Sequence, residues 1–321
     1  MKAISIIIPV FNERENLQEL YDRLIALVRS IGLSYQFIFI NDGSTDDSLI
    51  KLKDLSEKDS HVFFIDLSRN FGHQIAVSVG LDHSNAEATV IIDADLQDPP
   101  EVIAELYQKY REGFDVVYAQ RLSREGEDFL KRWTAKIFYR LLRKIAGVDI
   151  PIDTGDFRIM SRKVVDALKS MPEQNKFIRG QIAWLGFRQE KITYERRGRK
   201  HGSSSYSYSK MFNLALDAVT SFSDKPLTYV SRIGFLISLF SLAVICYALF
   251  AHFILKHTIT GWTSLIISVM FVGGIQLFSI GIIGEYLSRI HKNVKQRPLY
   301  IISETNLEVK GQKVEPESNE L

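Results

Sequence analysis

Two long apolar stretches near the end of the 321-residue chain restrict its fold more than any other feature. Residues 233–255 contain no ionisable side chain except those of Cys246, Tyr247 and His252, and residues 258–284 contain no charged residue. A helix needs about 20 apolar residues to cross the hydrocarbon core of a bilayer. The sequence therefore predicts two transmembrane helices. The alternative is a buried hydrophobic hairpin in a soluble domain, which two such stretches in succession disfavour.

Basic side chains indicate how these two helices are oriented. They lie before the first stretch and after the second, at Lys225, Arg232, Arg289, His291, Lys292, Lys295 and Arg297. The connection between the stretches offers only Lys256. Because positive charge concentrates on cytoplasmic segments, we expect a protein of the inner cell membrane with both termini in the cytoplasm. The opening "MKAISIIIPV" has no cleavage site of small residues, so a signal peptide is not predicted.

Four segments follow from this division of the chain. We predict a cytoplasmic α/β domain at residues 1–208, a juxtamembrane amphipathic helix at 209–226, a transmembrane hairpin at 227–290, and a polar tail at 291–321 that is disordered from Glu304. The single cysteine excludes a disulfide framework and a cysteine-based zinc site. A net charge of +2 gives no reason to expect a nucleic-acid partner, whereas basic residues beside the apolar stretches suit an anionic membrane surface.

Strand and helix patterns alternate through the first 120 residues. The apolar runs "ISIIIPV", "QFIFI", "VFFIDLS", "ATVIID" and "DVVYAQ" predict buried strands. The segments between these strands carry apolar residues at helical spacing, which predicts helices. In the second helix we expect Ser44 or Thr45 at the N-cap, with Asp46 and Asp47 in the first turn. This alternation predicts an open, mostly parallel sheet with helices on both faces. Ligands of such sheets bind beyond the carboxyl ends of the strands.

Polar residues follow four of these strands, at Glu13, Asp42, Arg69, Asn70, Asp93 and Asp95. Asp, Asn and Gly are also common in ordinary turns, so one such turn alone would indicate little. Four strand ends of this kind favour a shared site. The first strand is not followed by the G-x-G-x-x-G pattern of dinucleotide-binding folds, and the chain lacks the G-x-x-x-x-G-K-[ST] pattern of phosphate-binding loops.

The acidic stretch "IIDADLQDPPE" suggests a bound cation. Alternate side chains of an extended segment share a face, so Asp93, Asp95 and Gln97 are predicted to point the same way. Hard oxygen ligands suit Mg²⁺ or Mn²⁺, which bind through one or two carboxylates together with substrate phosphates. We therefore expect a divalent cation held with a diphosphate. The alternative is that the two aspartates only cap the turn that follows them.

Five stretches carry a resemblance to a known family. "SIIIPVFNERENL", "INDGSTDDS" and "IIDADLQDPPE", in this order and spacing, resemble glycosyltransferase family two with the nucleotide-sugar-binding fold called GT-A. "TGDFRIM" and "SYSKMFNLALDAVTSFSDKPL", followed by two apolar stretches, are similar to the polyprenyl-phosphate glycosyltransferases, the group of bactoprenol glucosyltransferase and dolichol-phosphate mannosyltransferase. The resemblance extends to about Arg297. The D-x-D pattern alone is unspecific, whereas its combination with "DLQDPPE" is specific.

The resemblance implies roles for the residues at matching positions. The nucleotide sugar would be bound by Pro9, Phe11, Glu13, Asp42, Asn70, Gly72, Asp93, Ala94 and Arg121. The metal would be bound by Asp93, Asp95 and Gln97, the catalytic carboxylate would be Asp156, and phosphates would be bound by Arg121, Arg196 and Arg199. The chain departs from the usual pattern after that last arginine, because Ser203 and Ser205 stand where relatives carry Glu and Lys. Lys200 and Lys210 are the candidates to replace that lysine.

The implied reaction transfers one sugar from a nucleotide diphosphate to a polyprenyl phosphate and inverts the anomeric carbon. The two-span layout resembles the bacterial glucosyl group, which favours UDP-glucose and undecaprenyl phosphate over GDP-mannose, and related enzymes suggest a homotetramer. A lipid phosphate with a second pKa near ~6 is largely a dianion at neutral pH. Asp156 is therefore expected to position a group or to help bind the metal rather than to remove a proton. The alternative is a structural cap or an ion pair with Arg158.

Two other functional classes compete with a polyprenyl-phosphate glycosyltransferase. A processive polysaccharide synthase usually carries Q-x-x-R-W and more spans, whereas "QIAWL" here has Trp184 in place of the arginine. A non-catalytic anchor or nucleotide sensor is disfavoured by the intact acidic motifs.

The segment "EDFLKRWTAKIFYRLLRKIAG" predicts a basic amphipathic helix that lies in the lipid headgroups or packs on its own domain. His73 and His83 are predicted to be ordinary surface or turn residues.

Overall fold

The computed structural model describes residues 2–122, 154–195, 225–253 and 261–307. Several predicted features fall outside these ranges: the basic amphipathic helix, Arg196 and Arg199, Ser203 and Ser205, and most of the juxtamembrane helix. They stay predictions. The described residues belong to two compact units, one holding those up to 195 together with 297–307 and the other holding those between 225 and 296.

An eight-stranded sheet lies at the centre of the first unit. Its strands in chain order are β1 Ile4–Val10, β2 Tyr35–Asn41, β3 Val62–Leu67, β4 Ala88–Ile91, β5 Val116–Arg121, β6 Thr154–Ser161, β7 Gln189–Tyr194 and β8 Ile302–Thr305. Their order in space is β7-β5-β6-β4-β1-β2-β3-β8. Four pairings are parallel, and the three made by β6 and β8 are antiparallel. The predicted mostly parallel α/β sheet is confirmed.

The described helices of this unit are α1 Arg14–Ile31, α2 Ser48–Lys58, α3 His73–His83, α4 Val102–Arg111, α5 Arg162–Lys169 and α6 Ile178–Leu185. Successive side chains of β1 point to opposite faces, so Ile6 belongs to one buried cluster and Ile7 to another. A Cβ atom at Gly80 of α3 would overlap the Ile7 side chain. Helix α3 therefore packs closely against β1, and its first residue, His73, lies at the carboxyl edge of the parallel strands.

The start of α2 differs from the prediction. Ser44 and Thr45 do not cap this helix, which begins at Ser48, and both aspartates precede it. The two predicted caps contact another loop instead. The backbone N–H of Thr45 donates to Oδ1 of Asn12 (2.8 Å), and the backbone N–H of Asn12 donates to Oγ of Ser44 (3.0 Å). These hydrogen bonds join the loops after β1 and β2, a long-range pairing that local cap preferences do not contain.

The beginning of the polar tail is ordered, so the expectation of disorder from Glu304 is wrong for residues 304–307. Strand β8 pairs with β3 at the edge of the sheet. The side-chain amide of Asn306 accepts from the backbone N–H of Phe64 (2.8 Å) and donates to the carbonyl of Val62 (3.1 Å). Lys53 of α2 forms an ion pair with Glu304 (2.6 Å). Residues 302–305 of the tail therefore belong to the sheet rather than to a separate segment.

The second unit contains two long helices, α7 Lys225–Phe253 and α8 Trp262–Lys295. Within them, Lys225–Val244 and Ser268–Lys295 are long and apolar enough to cross a membrane. Large apolar side chains such as Phe240 and Met270 are exposed, as contact with lipid requires. The structure is thus consistent with the two predicted transmembrane helices, and α8 extends five residues beyond the predicted boundary at residue 290. The orientation of the termini stays a prediction.

Candidate active site

A cleft of about 250 Å³ opens at the carboxyl ends of β1, β2 and β4. It is lined by Pro9, Val10, Phe11, Glu13, Asp42, Asn70, Gly72, His73, Ala76, Asp93, Ala94 and Asp95. Eight of the nine residues predicted to bind a nucleotide sugar are in this lining, and Arg121 is not. The shared site expected from four polar strand ends is therefore present as a structural feature.

Contacts between the loops after β2 and β3 shape the cleft. Gly43 has φ +64°, and a Cβ atom there would overlap the backbone of Arg69 and Asn70, so the loops after β2 and β3 touch. The carboxylate of Asp42 accepts hydrogen bonds from the backbone N–H groups of Phe71 (2.7 Å) and Gly72 (2.9 Å). Burial raises the pKa of Asp42, against the opposing effect of these hydrogen bonds. Asp42 thus holds the loop that leads into α3.

The D-x-D segment is a turn rather than an extended strand. Leu96 has φ +57°, and the backbone N–H of Gln97 donates to Oδ1 of Asp95 (3.1 Å). Asp93 and Asp95 both line the cleft and Gln97 does not, so the predicted common face does not include Gln97. Asp95 caps the turn through one oxygen, as the alternative interpretation proposed, while it also lies in the cleft. Its role and that of Gln97 as metal ligands stay predictions.

The residues present fit a divalent cation. Oδ1 of Asp93 is buried and has no hydrogen-bond partner among the described residues. Burial raises the pKa of Asp93 to about 6; the negative charges of Asp98, Asp156 and Asp95 add to this effect, and His73 opposes it. A cation beside this oxygen would relieve the repulsion. The described residues contain no cluster of three or more metal-ligating His, Cys, Asp or Glu side chains.

Asp156 lies behind the cleft in a buried charge cluster, with only 3% of its side chain exposed. Nε of Arg179 donates to its Oδ1 (2.7 Å), and the side-chain amide of Gln74 donates to its Oδ2 (3.0 Å). Burial opposes ionisation, but the charge of Arg179 and the hydrogen bonds with His73 and Arg179 hold the pKa of Asp156 well below its usual value. Arg158 is 3.9 Å away, so Arg179 rather than Arg158 is the principal ion-pair partner.

His73 joins this buried cluster to the cleft, which the sequence did not predict. Its Nε2 lies 3.0 Å from Oδ2 of Asp156 and 3.8 Å from Oδ1 of Asp93. Burial lowers the pKa of the imidazole, but the hydrogen bond to Asp156 and the two carboxylate charges outweigh it and raise the pKa to about 9. The prediction of an ordinary surface residue is therefore wrong for His73. The sequence signal for a site residue here is that His73 directly follows "SRNFG", the loop after β3.

Arg121 and Asp98 form a separate cluster. Tyr194 of β7 donates a short hydrogen bond to Oδ1 of Asp98, and Nη2 of Arg121 lies 3.6 Å from Oδ2 of the same carboxylate. Nε of Arg121 also donates to the hydroxyl of Tyr194 (3.3 Å). The structure thus places Arg121 on a buried structural carboxylate, and its predicted contact with a nucleotide sugar stays a prediction. Arg196 and Arg199 lie outside the described residues.

Comparison with known proteins decides the family. The sequence profile of Glycosyl transferase family 2 matches residues 5–169. The glycosyltransferase YkcC of Bacillus subtilis is 46% identical over 301 residues, covering 94% of this chain and 93% of its own. The chain belongs to glycosyl transferase family 2. The resemblance drawn from the sequence motifs and the expectation of a glycosyltransferase are therefore confirmed.

Two further comparisons describe this family 2 chain more closely. The SfII prophage-derived bactoprenol glucosyl transferase of Shigella flexneri is 39% identical over 303 residues, covering 94% of this chain and 98% of the relative. The crystal structure of glucosyl-3-phosphoglycerate synthase from Mycobacterium tuberculosis, in complex with Mn²⁺, uridine diphosphate and phosphoglyceric acid, superposes with a TM-score of 0.50 at 19% identity. That similarity covers 68% of this chain and 76% of the synthase, and it confirms the GT-A fold.

Proposed function

We propose that this glycosyltransferase moves a glucosyl group from UDP-glucose to a polyprenyl phosphate, undecaprenyl phosphate in particular, and inverts the anomeric carbon. The observation that carries the proposal is the similarity to the bactoprenol glucosyl transferase of Shigella flexneri. It covers 94% of this chain, so it includes the two apolar helices as well as the domain with the cleft. The superposed synthase was crystallised with Mn²⁺ and uridine diphosphate, which adds support for the donor.

The chemistry of the cleft suits a nucleotide. Phe11 is 47% exposed and offers an aromatic face on which a base can stack. Glu13, Asp42 and Asn70 supply polar groups that can accept or donate hydrogen bonds to a base and a ribose. Gly72 has φ +101°, and a Cβ atom placed there would meet no other atom within 4 Å, so this residue leaves room beside them. These residues therefore form the proposed nucleoside site, with Pro9 and Ala94 as its apolar lining.

Asp93 and Asp95 would hold Mg²⁺ or Mn²⁺ together with the diphosphate. When bound, the cation would neutralise the negative charge that develops on the leaving nucleotide as the glycosidic bond breaks. The carboxylates orient this end of the donor, because both project from the turn that ends β4. The hydrogen bond from the backbone N–H of Gln97 fixes one oxygen of Asp95 in that turn.

Asp156 acts as a positioning residue in this proposal. Its carboxylate is buried, both oxygens accept hydrogen bonds, and its pKa is depressed, so it is a poor proton acceptor. The acceptor needs little help with deprotonation, since a phosphate monoester with a second pKa near ~6 is largely a dianion at neutral pH. The principal requirement on the chain is then to place this dianion opposite the leaving group.

The membrane arrangement follows from the acceptor. A lipid phosphate lies at the bilayer surface, and α7 and α8 provide two helices able to anchor the enzyme there. We propose that the catalytic domain and both termini are cytoplasmic, as the flanking basic residues indicate. We also propose a homo-oligomer, a tetramer by resemblance to related enzymes. Crosslinking of the membrane-embedded protein measures the oligomer directly.

Sugar transfer by the purified full-length chain tests the proposal. The protein in detergent is mixed with radiolabelled UDP-glucose, Mn²⁺ and undecaprenyl phosphate, and label is measured in an organic extract. We expect extractable label only when the lipid phosphate is present. Label that follows GDP-mannose instead would indicate a mannosyltransferase. Label in a long water-soluble polymer would indicate a processive polysaccharide synthase, and absence of transfer from every donor would contradict the proposal.

A further inference from the structure

The charge of the cleft is unbalanced. Among the described residues that line it, four carry carboxylates, namely Glu13, Asp42, Asp93 and Asp95. The only described lining residue able to carry a positive charge is His73. Both proposed substrates bring phosphate groups into this space, and phosphate oxygens are repelled by carboxylates. A cation bound to the aspartates would offset part of this repulsion. Within the described lining, the imidazole of His73 is the one protein group that can add positive charge.

The imidazole of His73 is held from behind. It begins α3, and Nε2 lies 3.0 Å from Oδ2 of Asp156. Asp156 is in turn held by Arg179, whose Nε and Nη2 donate at 2.7 and 3.2 Å, and by Gln74. This is the arrangement of a ring oriented by a buried carboxylate, which leaves its other nitrogen for a ligand. No further hydrogen-bond partner of the imidazole lies within the described residues, and 42% of the side chain is exposed.

We propose that His73 binds a phosphate oxygen of a substrate in the cleft, and that Asp156 and Arg179 act through it as positioning residues. The inference rests on the proposed function for the identity of the substrates. The oxygen belongs either to the diphosphate of the donor or to the monophosphate of the lipid acceptor. In both cases an N–H of the imidazole donates to an anionic oxygen, which is a charge-assisted hydrogen bond. No bond is made or broken by His73.

The geometry explains why Asp156 is buried. A carboxylate that contacted the phosphate would repel it, whereas the same carboxylate behind an imidazole orients the ring and balances its charge. Arg179 donates to both oxygens of this carboxylate, from Nε to Oδ1 (2.7 Å) and from Nη2 to Oδ2 (3.2 Å), and the imidazole of His73 shares Oδ2 with it. Loss of a charge-assisted hydrogen bond of this kind lowers kcat/KM by roughly 10- to 100-fold.

Kinetics with both substrates, combined with nucleotide binding, test the inference. The variants are His73→Ala, His73→Gln, which keeps an N–H donor, and His73→Lys, which keeps a positive charge. The matched control is His83→Gln at the other end of α3, where the imidazole contacts the carbonyl of Val79 (2.9 Å) and lies outside the cleft lining. KM is measured separately for UDP-glucose and for undecaprenyl phosphate, and UDP affinity is measured without acceptor.

We expect His73→Ala to lower kcat/KM by roughly 10- to 100-fold, with partial recovery in His73→Gln or His73→Lys and no change in His83→Gln. A rise in the KM for UDP-glucose with weaker UDP binding assigns the oxygen to the diphosphate. A rise in the KM for the lipid alone assigns it to the acceptor. Arg179→Lys is expected to change the same KM as His73→Ala, in the same direction.

Two results would overturn the inference. The first is a folded His73→Ala enzyme, shown by an unchanged thermal transition, that keeps both KM values and the UDP affinity. The second is a change confined to Mn²⁺ affinity measured without nucleotide, because His73 would then act only on Asp93. If the wild-type chain transfers no sugar, the proposed function fails, whereas the UDP-binding comparison still reports on His73.

Discussion

Replacing Asp93 by asparagine is expected to stabilise the cation-free protein while abolishing sugar transfer. Burial and neighbouring carboxylates raise the pKa of Asp93 from 3.8 to about 6. Each pKa unit corresponds to about 1.4 kcal/mol, so ionising this group in the folded protein costs at most about 3 kcal/mol. The side chain is 30% exposed, and solvent reduces the cost. We therefore expect Asp93→Asn to gain about 1–2 kcal/mol at pH 7.5, since asparagine removes the charge and keeps the shape.

The gain has a defined dependence on pH. The folded pKa lies above the unfolded one, so the wild-type chain loses stability as the pH rises from about 4 to about 6, and the loss is complete above that window. The advantage of Asp93→Asn should therefore be full at pH 7.5, smaller at pH 5 and absent below pH 4. The transition temperature at pH 7.5 should rise by roughly 2–8 °C, at 2–4 °C per kcal/mol for a domain of this size.

Thermal unfolding of the detergent-solubilised full chain, with chelator present, measures this effect. Asp54→Asn on α2 is the control, because Asp54 is an exposed carboxylate outside the cleft lining. Mn²⁺ with UDP should then stabilise the wild type and leave Asp93→Asn unchanged. A variant that is less stable than the wild type at pH 7.5 without cations would refute the reasoning that crowded carboxylates strain this cleft.

Three further substitutions test other contacts by thermal unfolding. Gly43→Ala should lower the free energy of unfolding by about 1–3 kcal/mol, because the φ of Gly43 is +64° and the neighbouring backbone leaves no room for a Cβ atom. Gly32→Ala should cost less, because Gly32 has a similar φ but open space around it. Asp156→Asn should cost about 3–5 kcal/mol at neutral pH because it removes the carboxylate charge that pairs with Arg179 and His73, and the depressed pKa of Asp156 means that this difference shrinks as the pH falls from about 4 toward that pKa. Asn306→Ala should cost about 1–3 kcal/mol by freeing two backbone groups of β3. Equal losses in both glycine variants, a pH-independent loss at Asp156, or an unchanged Asn306→Ala would contradict these accounts.

The strands and the cleft were readable from the sequence because each rests on local pattern. Continuous apolar runs such as "ISIIIPV" are typical of strands buried on both faces, and β1 is buried throughout. Polar residues after such strands meet at one edge by topology alone, so Glu13, Asp42 and Asp93 converge as predicted. The family motifs added the identity of the ligand, which the spacing of polar residues does not contain.

The features that were not predicted depend on distant parts of the chain. Asp156 meets His73, 83 residues earlier, and Arg179, 23 residues later, and no periodicity in the sequence encodes these contacts. The turn after Asp93 depends on the left-handed backbone of Leu96, a conformation that leucine rarely adopts. Strand β8 is short and polar, so it forms only because the edge of β3 offers unpaired backbone groups.

Calorimetric titration of UDP-glucose into the purified chain tests the central claim, that the cleft binds a nucleotide sugar through a divalent cation. We predict saturable binding with Mn²⁺ that is lost on adding a chelator and is absent in Asp93→Asn. Equal affinity with and without Mn²⁺, or no affinity for any nucleotide sugar, would contradict the account.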